Sequence, residues 1–453
     1  MKKFSKVISI LLLAVFMMVL VVGCEKSDSV GGDGASDEIK IHVGVVEPTS
    51  GAQAPLGQAE YDAIKMAIEM INEKGGVMGQ YPITYDFADS QSDPAIGASE
   101  AERLINDKKV PVLMGSYSSA IAVAISEVAE RYNTVLWEMS GAADNVLTKG
   151  YRWTFRNEAN ASAWGAESVE FIMGNDAKIQ EKLGKGAKDL KIAIIHEDGP
   201  YGTAVAAGNE ATANKHGLNI VLKEAYSAKA VDLSSIIMKI KAANPDVLLL
   251  TSYVNDGIMF NRQAKELNLT LPIFITHSGG HSVQAFVDGV GADADFMLTV
   301  DPVPCNPNTS GFSAENAALF DEFVKRWTAK FGVPPYHHVE YRQFAQTMLF
   351  FNEIVPVAIE KHGAFTAEAV AEAIKAVDIA DADSLMGHGA KFSTPEQPWT
   401  DPWLGNQHTG QNFKARAFIN QYFDGTLVTV WPENLAKEEA VLFLPEGHPL
   451  ARK

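Results

Sequence analysis

The chain has 453 residues, of which 47% are hydrophobic and 21% charged, and its formal net charge at pH 7 is −18. This composition is typical of a globular protein of two or three domains, and the acidic balance argues against nucleic-acid binding, because phosphate contacts need a basic face. Only two cysteines are present, Cys24 and Cys305, which excludes a cysteine metal cluster.

Residues 1–23 carry the features of a secretory signal: lysines at the start and an apolar run from Val7 to Val22. The sequence Val-Val-Gly before Cys24 resembles a bacterial lipobox, which implies that Cys24 becomes the lipidated first residue of the mature protein. A plain membrane anchor and an ordinary cleaved signal are the alternatives. If Cys24 carries lipid, Cys305 has no disulfide partner, and we interpret it as a small buried apolar side chain.

Residues 24–38 are rich in Gly, Ser and Asp and predict a flexible tether, because they offer almost nothing to bury. Strands and helices then alternate from Ile39 to Asn157, which is the doubly wound α/β pattern. The expected strands are 39–45, 83–88, 110–114 and 134–138, and the expected helices are 58–72, 95–106 and one that begins near Ser118 or Ser119.

The stretch from Val110 to Asn145 predicts a ligand site. Two buried strands each end in a polar loop, the first in serines and the second in the sequence Ser-Gly-Ala-Ala-Asp-Asn. Ligands of open α/β sheets bind at the carboxyl ends of the strands, and a helix N-terminus with serines suits a carboxylate. Ordinary helix capping is the alternative for Ser118 and Ser119.

A second α/β half follows, with strands at 191–196, 220–226, 247–252 and 273–276 and helices at 161–173, 233–242 and 257–267. Residues 175–189 form a polar insert between helix and strand. A strand at 296–300 leads to three helices, at 314–331, 340–361 and 367–376. Residues 385–411 predict a Gly/Pro/Trp-rich loop, and Asp424-Gly425 predicts a hairpin between strands 415–421 and 426–431.

The order of motifs resembles the type I periplasmic binding proteins of ABC importers, in the branched-chain amino-acid receptor group. The motifs are the lipobox, IHVGVVEPTSG, MINEKGG, ADSQSDP, VPVLMGSYSSA and EDGPYG. The resemblance implies an α/β fold of two doubly wound, Rossmann-like lobes that are joined by a three-segment hinge and hold a ligand between them. Lobe 1 would comprise residues 39–157 and 300–392, and lobe 2 residues 158–299 and 393–453.

The resemblance also implies ligand-binding residues. In lobe 1, hydroxyls and amides at Ser118 and Ser119 would hold a carboxylate, and the loop with Ala142 and Ala143 would hold the polar end of the ligand. Asp144 stands where amino-acid receptors usually have threonine. In lobe 2, the implied residues are Tyr201, Tyr253 and Gly280.

The usual second-lobe carboxylate for a ligand ammonium is missing from Ser278-Gly279-Gly280-His281. We therefore expect Asp144 to replace it from lobe 1.

The sequence contains few signs of a metal site or of an enzyme active site. His277 and His281 are four residues apart, but the intervening glycines disfavour a helix, and no third ligand is adjacent, so we expect no metal site there. Nucleophile elbows, Walker loops and dinucleotide fingerprints do not occur at strand-to-helix turns. Glu197 and Asp198 are interpreted as loop carboxylates and not as an acid–base pair. We expect no enzyme activity and no cofactor.

The sequence thus predicts a monomeric, lipid-anchored, extracytoplasmic receptor that captures an amino acid or similar small molecule for an ABC permease. A ligand sensor that reports to a membrane signalling partner is the alternative, and a secreted hydrolase is a second one.

Overall fold

The computed structural model describes residues Ile39–Arg452. The predicted signal sequence, the tether and the lipidation site at Cys24 lie outside these residues. Cys305 is fully buried and has a free thiol, in agreement with the interpretation of the sequence. Within the described part of the chain, no helix is both long enough and apolar enough to cross a bilayer.

The first sheet has five parallel strands in the order β2-β1-β3-β4-β5. Every residue of β3 and β4 is buried, which explains why both strands are short and almost wholly apolar. The strands are β1 Ile41–Glu47, β2 Ile83–Asp89, β3 Val112–Gly115, β4 Val135–Glu138 and β5 Thr154–Arg156.

The second sheet has seven strands in the order β14-β13-β10-β9-β8-β6-β7. Its β6–β10 part is parallel, whereas β13 runs antiparallel to both β10 and β14. A separate two-stranded hairpin is formed by β11 and β12. The strands are β6 Lys191–Glu197, β7 Asn219–Tyr226, β8 Val247–Thr251, β9 Ile273–His277, β10 Leu298–Asp301, β11 Trp399–Thr400, β12 Gln407–His408, β13 Phe418–Phe423 and β14 Thr426–Trp431.

Helices connect the strands and cover the sheets, which is the expected doubly wound arrangement. They are α1 Ala54–Glu73, α2 Pro94–Lys108, α3 Ser119–Tyr132, α4 Ala161–Gly174, α5 Asp176–Leu183, α6 Pro200–His216, α7 Ser234–Ala243, α8 Val254–Glu266, α9 Gln284–Val290, α10 Ala314–Phe331, α11 His338–Leu349, α12 Val355–His362 and α13 Ala367–Ala376.

The chain passes between the sheets three times. After β5 it leaves the first sheet for α4, and after β10 it leaves the second sheet for α10–α13, of which α11 packs against α1. It then returns to the second sheet as β13 and β14. We call the first sheet with α1–α3 and α10–α13 the first lobe, and the second sheet with α4–α9 the second lobe. The residue boundaries predicted for the lobes stay a proposal.

Three stretches differ in local detail from what the sequence indicated. The polar insert contains α5, whose acidic first turn and basic last turn complement the helix dipole, although only Ile179 is buried. The helix expected at 340–361 is divided by a π turn at Phe350–Ile354, just before Pro356, which lacks the N–H for a regular helical bond. The loop expected at 385–411 includes the β11–β12 hairpin.

Candidate functional site: a closed cavity between the lobes

A small cavity lies between the two lobes. Most of its lining follows the carboxyl ends of strands in both sheets, at the edge where α/β sheets bind ligands. The lining residues are Tyr117, Ser119, Ser140, Trp164, Tyr201, Tyr253, Ser278, Gly279, His338 and Arg342.

The turn between β3 and α3 forms part of the first-lobe wall. Gly115 has φ +121°, and a Cβ there would lie 2.2 Å from the carbonyl oxygen of Val46, so the turn requires glycine. Ser118 is the N-cap of α3, but its side chain makes no capping hydrogen bond. The Ser119 hydroxyl accepts a hydrogen bond from the Ala143 N–H at 3.0 Å. Its own proton therefore stays available for an acceptor in the cavity.

The loop after β4 is fixed from behind by two buried side chains. The Oε1 of Glu138 accepts the N–H groups of Ser140 and Gly141 at 2.9 and 2.6 Å. The Arg156 guanidinium donates to the carbonyl oxygens of Gly141 and Ala143, both at 2.8 Å. These bonds hold the loop in one conformation against the first turn of α3, which is the preorganisation that a binding site needs.

Aromatic side chains form most of the second-lobe wall. The Tyr201 ring lies 5.8 Å from that of Trp164 and 5.6 Å from that of Tyr253, and the Tyr201 hydroxyl donates to the His277 carbonyl at 2.8 Å. Burial raises the pKa of the Tyr201 hydroxyl well above its usual value, so this group stays a neutral donor. The wall is thus apolar and rigid, with its polar atom already satisfied.

The two lobes touch directly across the cavity. The Tyr117 hydroxyl from the first lobe donates to the Gly279 carbonyl of the second at 3.1 Å. The Tyr117 and Tyr253 rings also lie 6.2 Å apart. The structure is therefore a closed form, in which only a small cavity remains of the cleft.

Arg342 supplies the cationic group of the lining. It comes from α11, and its guanidinium contacts Glu60 at 2.5 Å and Glu158 at 3.0 Å, with all three side chains almost fully buried. Burial raises the pKa of both carboxyls, while the Coulombic pull of Arg342 lowers it. The Nε of Arg342 has no hydrogen-bond partner among the described residues.

Burial also raises the pKa of Glu138, to about 8, against the opposing effect of its backbone hydrogen bonds. A carboxyl whose folded pKa lies above its unfolded value favours the folded state at low pH, and that contribution is lost as the pH rises through about 8. The histidines whose pKa burial lowers titrate below pH 6.5, so the pH dependence of stability above pH 6.5 comes from the buried acids. Besides Glu138, these include Glu340, with a pKa of about 7, and Glu47, whose pKa burial raises well above its usual value.

We therefore predict that Glu138→Gln reduces the fall in unfolding free energy between pH 6.5 and 8, by on the order of 1 kcal/mol per pH unit. Urea denaturation at pH 6.5, 7.2 and 8 measures this slope. Glu322→Gln, at an exposed helix position, is the control and should match the parent slope. Parallel curves for the parent and Glu138→Gln would show that Glu138 is already ionised at neutral pH.

The predicted ligand residues fall into two groups. Ser119, Tyr201 and Tyr253 line the cavity together, and Ser118, Ala142, Ala143, Asp144 and Gly280 do not. The Ala142 carbonyl accepts from the Ala161 N–H at 2.7 Å. Gly280 packs against the backbone of Tyr253, since a Cβ there would lie 2.1 Å from the Tyr253 carbonyl oxygen. These residues support the lining from behind, while their binding roles stay untested.

Asp144, the predicted partner for a ligand ammonium, is not among the residues that line the cavity. Its Oδ1 accepts from the Asn160 side chain at 2.9 Å and from the Ser162 N–H at 3.3 Å, at the start of α4. The carboxylate is thus turned towards the hinge side of the loop and not into the cavity.

The sequence analysis also missed several lining residues. Tyr117 lies inside the serine turn and was not selected, and neither was Trp164 in the first turn of α4. His338 and Arg342 come from α11, about 200 residues further along the chain than the serine turn. His277 and His281 are buried, and burial lowers their pKa to about 4 and about 3, so both are neutral.

Comparison with known proteins supports the fold and the class. The model of a family described as "Periplasmic binding protein" matches residues 40–410. The chain is 34% identical over 410 residues to the Leu/Ile/Val-binding protein homolog 7 of Brucella abortus, covering 90% of this chain and 95% of the relative.

Two solved structures share the fold. One is the branched-chain amino acid transporter substrate-binding protein LivJ from Streptococcus pneumoniae in complex with isoleucine. The TM-score is 0.65 and the sequence identity 21%, and the match covers 87% of this chain and 100% of LivJ. The other is an ABC transporter solute-binding protein of R. palustris in complex with benzoate, with a TM-score of 0.67, 18% identity and coverage of 89% and 98%.

The expected type I fold is therefore confirmed, as is the expectation of a receptor and not an enzyme. The family implies an extracytoplasmic location. On the evidence of the family model and of relatives that span nearly its whole folded part, this chain belongs to the periplasmic binding protein family, in the group of Leu/Ile/Val-binding-protein homologues.

Proposed function

We propose that the protein is a lipid-anchored receptor of an ABC transporter, which captures an amino acid or a related small carboxylate between its lobes. The observation that carries the proposal is the closed cavity, with a free hydroxyl at Ser119 on one wall and the rings of Tyr201 and Tyr253 on the other. A ligand that contacts both walls stabilises the closed form, and the closed form is what a permease recognises.

The lining favours a carboxylate as the anchor of the ligand. It offers the hydroxyl of Ser119 and the cationic side chain of Arg342, and none of the described lining residues is Asp or Glu. The faces of the tyrosine rings can attract an ammonium group, and they can equally pack against an apolar body. The proposal therefore covers branched-chain amino acids and simple carboxylates, and LivJ with isoleucine and the R. palustris protein with benzoate are examples of each.

A thermal-shift screen followed by calorimetry tests the proposal. Isoleucine, leucine, valine, glutamine and benzoate are the first probes, and a true ligand at 100 times its Kd should add about 2.7 kcal/mol to the unfolding free energy. If none of a broad panel of amino acids and small carboxylates raises the melting temperature, the proposed ligand class is wrong.

Ser119→Ala removes the donor that the proposal gives to the ligand carboxylate. A hydrogen bond to a charged group contributes about 1.5–3 kcal/mol, so the affinity should fall by roughly 10- to 150-fold. Ser126→Ala is the matched control, because Ser126 is buried in the same helix and its hydroxyl donates to the Val123 carbonyl. Equal affinities of the two variants would remove Ser119 from the ligand site.

The lipid anchor and the monomeric state are further parts of the proposal. Mass spectrometry of the N-terminal peptide should find a diacylglyceryl group on Cys24, and Cys24→Ser should release the protein from the membrane fraction. An unmodified Cys24 in membrane-bound protein would contradict the anchor. Light scattering should give the mass of one chain.

A further inference from the structure

Asp144, Asp401 and His408 form a cluster outside the cavity. All three side chains are buried, and one possible ligand atom from each lies within 4.8 Å of the other two. Asp144 belongs to the loop after β4, whereas Asp401 and His408 bracket the turn of the β11–β12 hairpin. Two segments that are far apart in sequence thus bring two carboxylates and an imidazole together.

The hairpin turn holds the Asp401 carboxylate in a fixed position. Its oxygens accept hydrogen bonds from consecutive backbone N–H groups, and its Oδ2 lies 3.2 Å from the Nε2 of His408. The backbone donors are Trp403 at 3.1 Å, Leu404 at 2.5 Å, Gly405 at 3.2 Å and Asn406 at 3.0 Å. The Oδ2 of Asp401 and the Nε2 of His408 thus lie at a separation that two ligands of one tetrahedral metal ion can have.

Two atoms of the cluster have no partner in the described part of the chain, namely Oδ2 of Asp144 and Nδ1 of His408. The Oδ2 of Asp144 can only accept, and leaving it buried without a donor or a cation costs about 1–3 kcal/mol. The guanidinium of Arg156 does not satisfy the two atoms, because its hydrogen bonds go to Gly141, Ala143 and Gln411.

We propose that Asp144, Asp401 and His408 bind a divalent transition-metal ion of the zinc class. One imidazole nitrogen and carboxylate oxygens form a ligand set that zinc accepts, and a nitrogen ligand disfavours calcium and magnesium. This differs from the expectation from sequence, which considered only the pair His277 and His281 and found no site. The inference is independent of the proposed ligand of the cavity.

The ion would have a structural role. Through Asp144 it would join the β11–β12 hairpin to the loop behind the cavity and to the start of α4, where Asn160 and Ser162 bind the other carboxylate oxygen. The same loop provides the N–H of Ala143 that positions Ser119. Metal binding should therefore stabilise the folded protein and rigidify one wall of the cavity.

Equilibrium dialysis of the chelator-treated protein against Zn²⁺ tests the proposal. We expect one Zn²⁺ per chain with a Kd in the micromolar range or below, and a melting temperature that Zn²⁺ raises and Ca²⁺ does not. Co²⁺ should quench part of the tryptophan fluorescence, because the Trp399 ring lies 5.4 Å from the ring of His408. Trp399→Phe should lose this quenching and still bind Zn²⁺.

Asp144→Asn and His408→Gln should each weaken Zn²⁺ binding at least 30-fold. His42→Gln is the matched control, because His42 pairs with Asp86 at 3.0 Å on the surface, away from the cluster. If the parent protein does not bind one Zn²⁺ per chain at a free Zn²⁺ concentration 10 times the expected micromolar Kd, the proposal is overturned. Water or a proton would then satisfy the unpartnered atoms. Folded Asp144→Asn and His408→Gln variants that keep parental Zn²⁺ affinity would overturn the proposal as well.

Discussion

Arg342→Met is expected to lower the free energy of unfolding by about 3–5 kcal/mol, because it leaves the buried carboxylates of Glu60 and Glu158 without their shared cation. Urea denaturation followed by circular dichroism measures the loss. The second consequence is a rise in the pKa of both carboxyls, so the destabilisation should be smaller at pH 5 than at pH 7.5.

Arg326→Met is the matched control for this experiment. Arg326 also contacts two glutamates, Glu73 at 2.8 Å and Glu322 at 2.7 Å, but its side chain is 35% exposed. Exposed ion pairs contribute about 0–1 kcal/mol, so this variant should stay close to the parent. If Arg342→Met were no more destabilised than Arg326→Met, the buried network would not be a stabilising feature of the hinge region.

Tyr201→Ala is expected to reduce the affinity for the captured ligand by at least about 30-fold, which corresponds to about 2 kcal/mol or more. The ring covers the cavity from the second lobe and packs on Trp164 and Tyr253, so its removal opens the cavity to water. Calorimetric titration, with the ligand found by the thermal-shift screen, measures the change. Tyr201→Phe keeps the ring and should retain most of the affinity.

Tyr226→Ala is the matched control, because Tyr226 is also a buried second-lobe tyrosine but lies outside the cavity lining and donates to Asp256 at 2.6 Å. It should lose stability and keep its affinity within about threefold, as expected for a residue without contact to the ligand. A similar loss of affinity in both variants would assign the effect of Tyr201→Ala to general damage of the second lobe.

The alternation of buried strands and amphipathic helices was enough to predict the α/β fold. The apolar runs of β3, β4, β6 and β8 are short and end at glycine or polar loops, which is typical of strands buried in a parallel sheet. Helix α5 was missed because a helix that buries a single side chain, Ile179, leaves no apolar period to detect.

The sequence could predict only those residues of the candidate site that are marked by their own neighbours along the chain. Ser119 lies in the turn after a strand, so the strand end and its turn chemistry were sufficient to select it, whereas Tyr201 and Tyr253 were selected through the resemblance to the receptor family. Arg342 is different, because it reaches the cavity through the packing of α11 on α1, and no neighbouring residue signals that contact. Asp144 was selected by its loop, but hydrogen bonds to Asn160 and Ser162 decide where its carboxylate points.

The central claim is that a small ligand holds the two lobes closed around the cavity. Spin labels at Glu127 in the first lobe and Lys215 in the second, both exposed and in a Cys24→Ser background, report the distance between the lobes. We predict that a ligand which raises the melting temperature converts a broad distance distribution into a single narrow one, and that Tyr201→Ala needs far more ligand for the same change. A stabilising ligand that leaves the distance distribution unaltered would contradict the account.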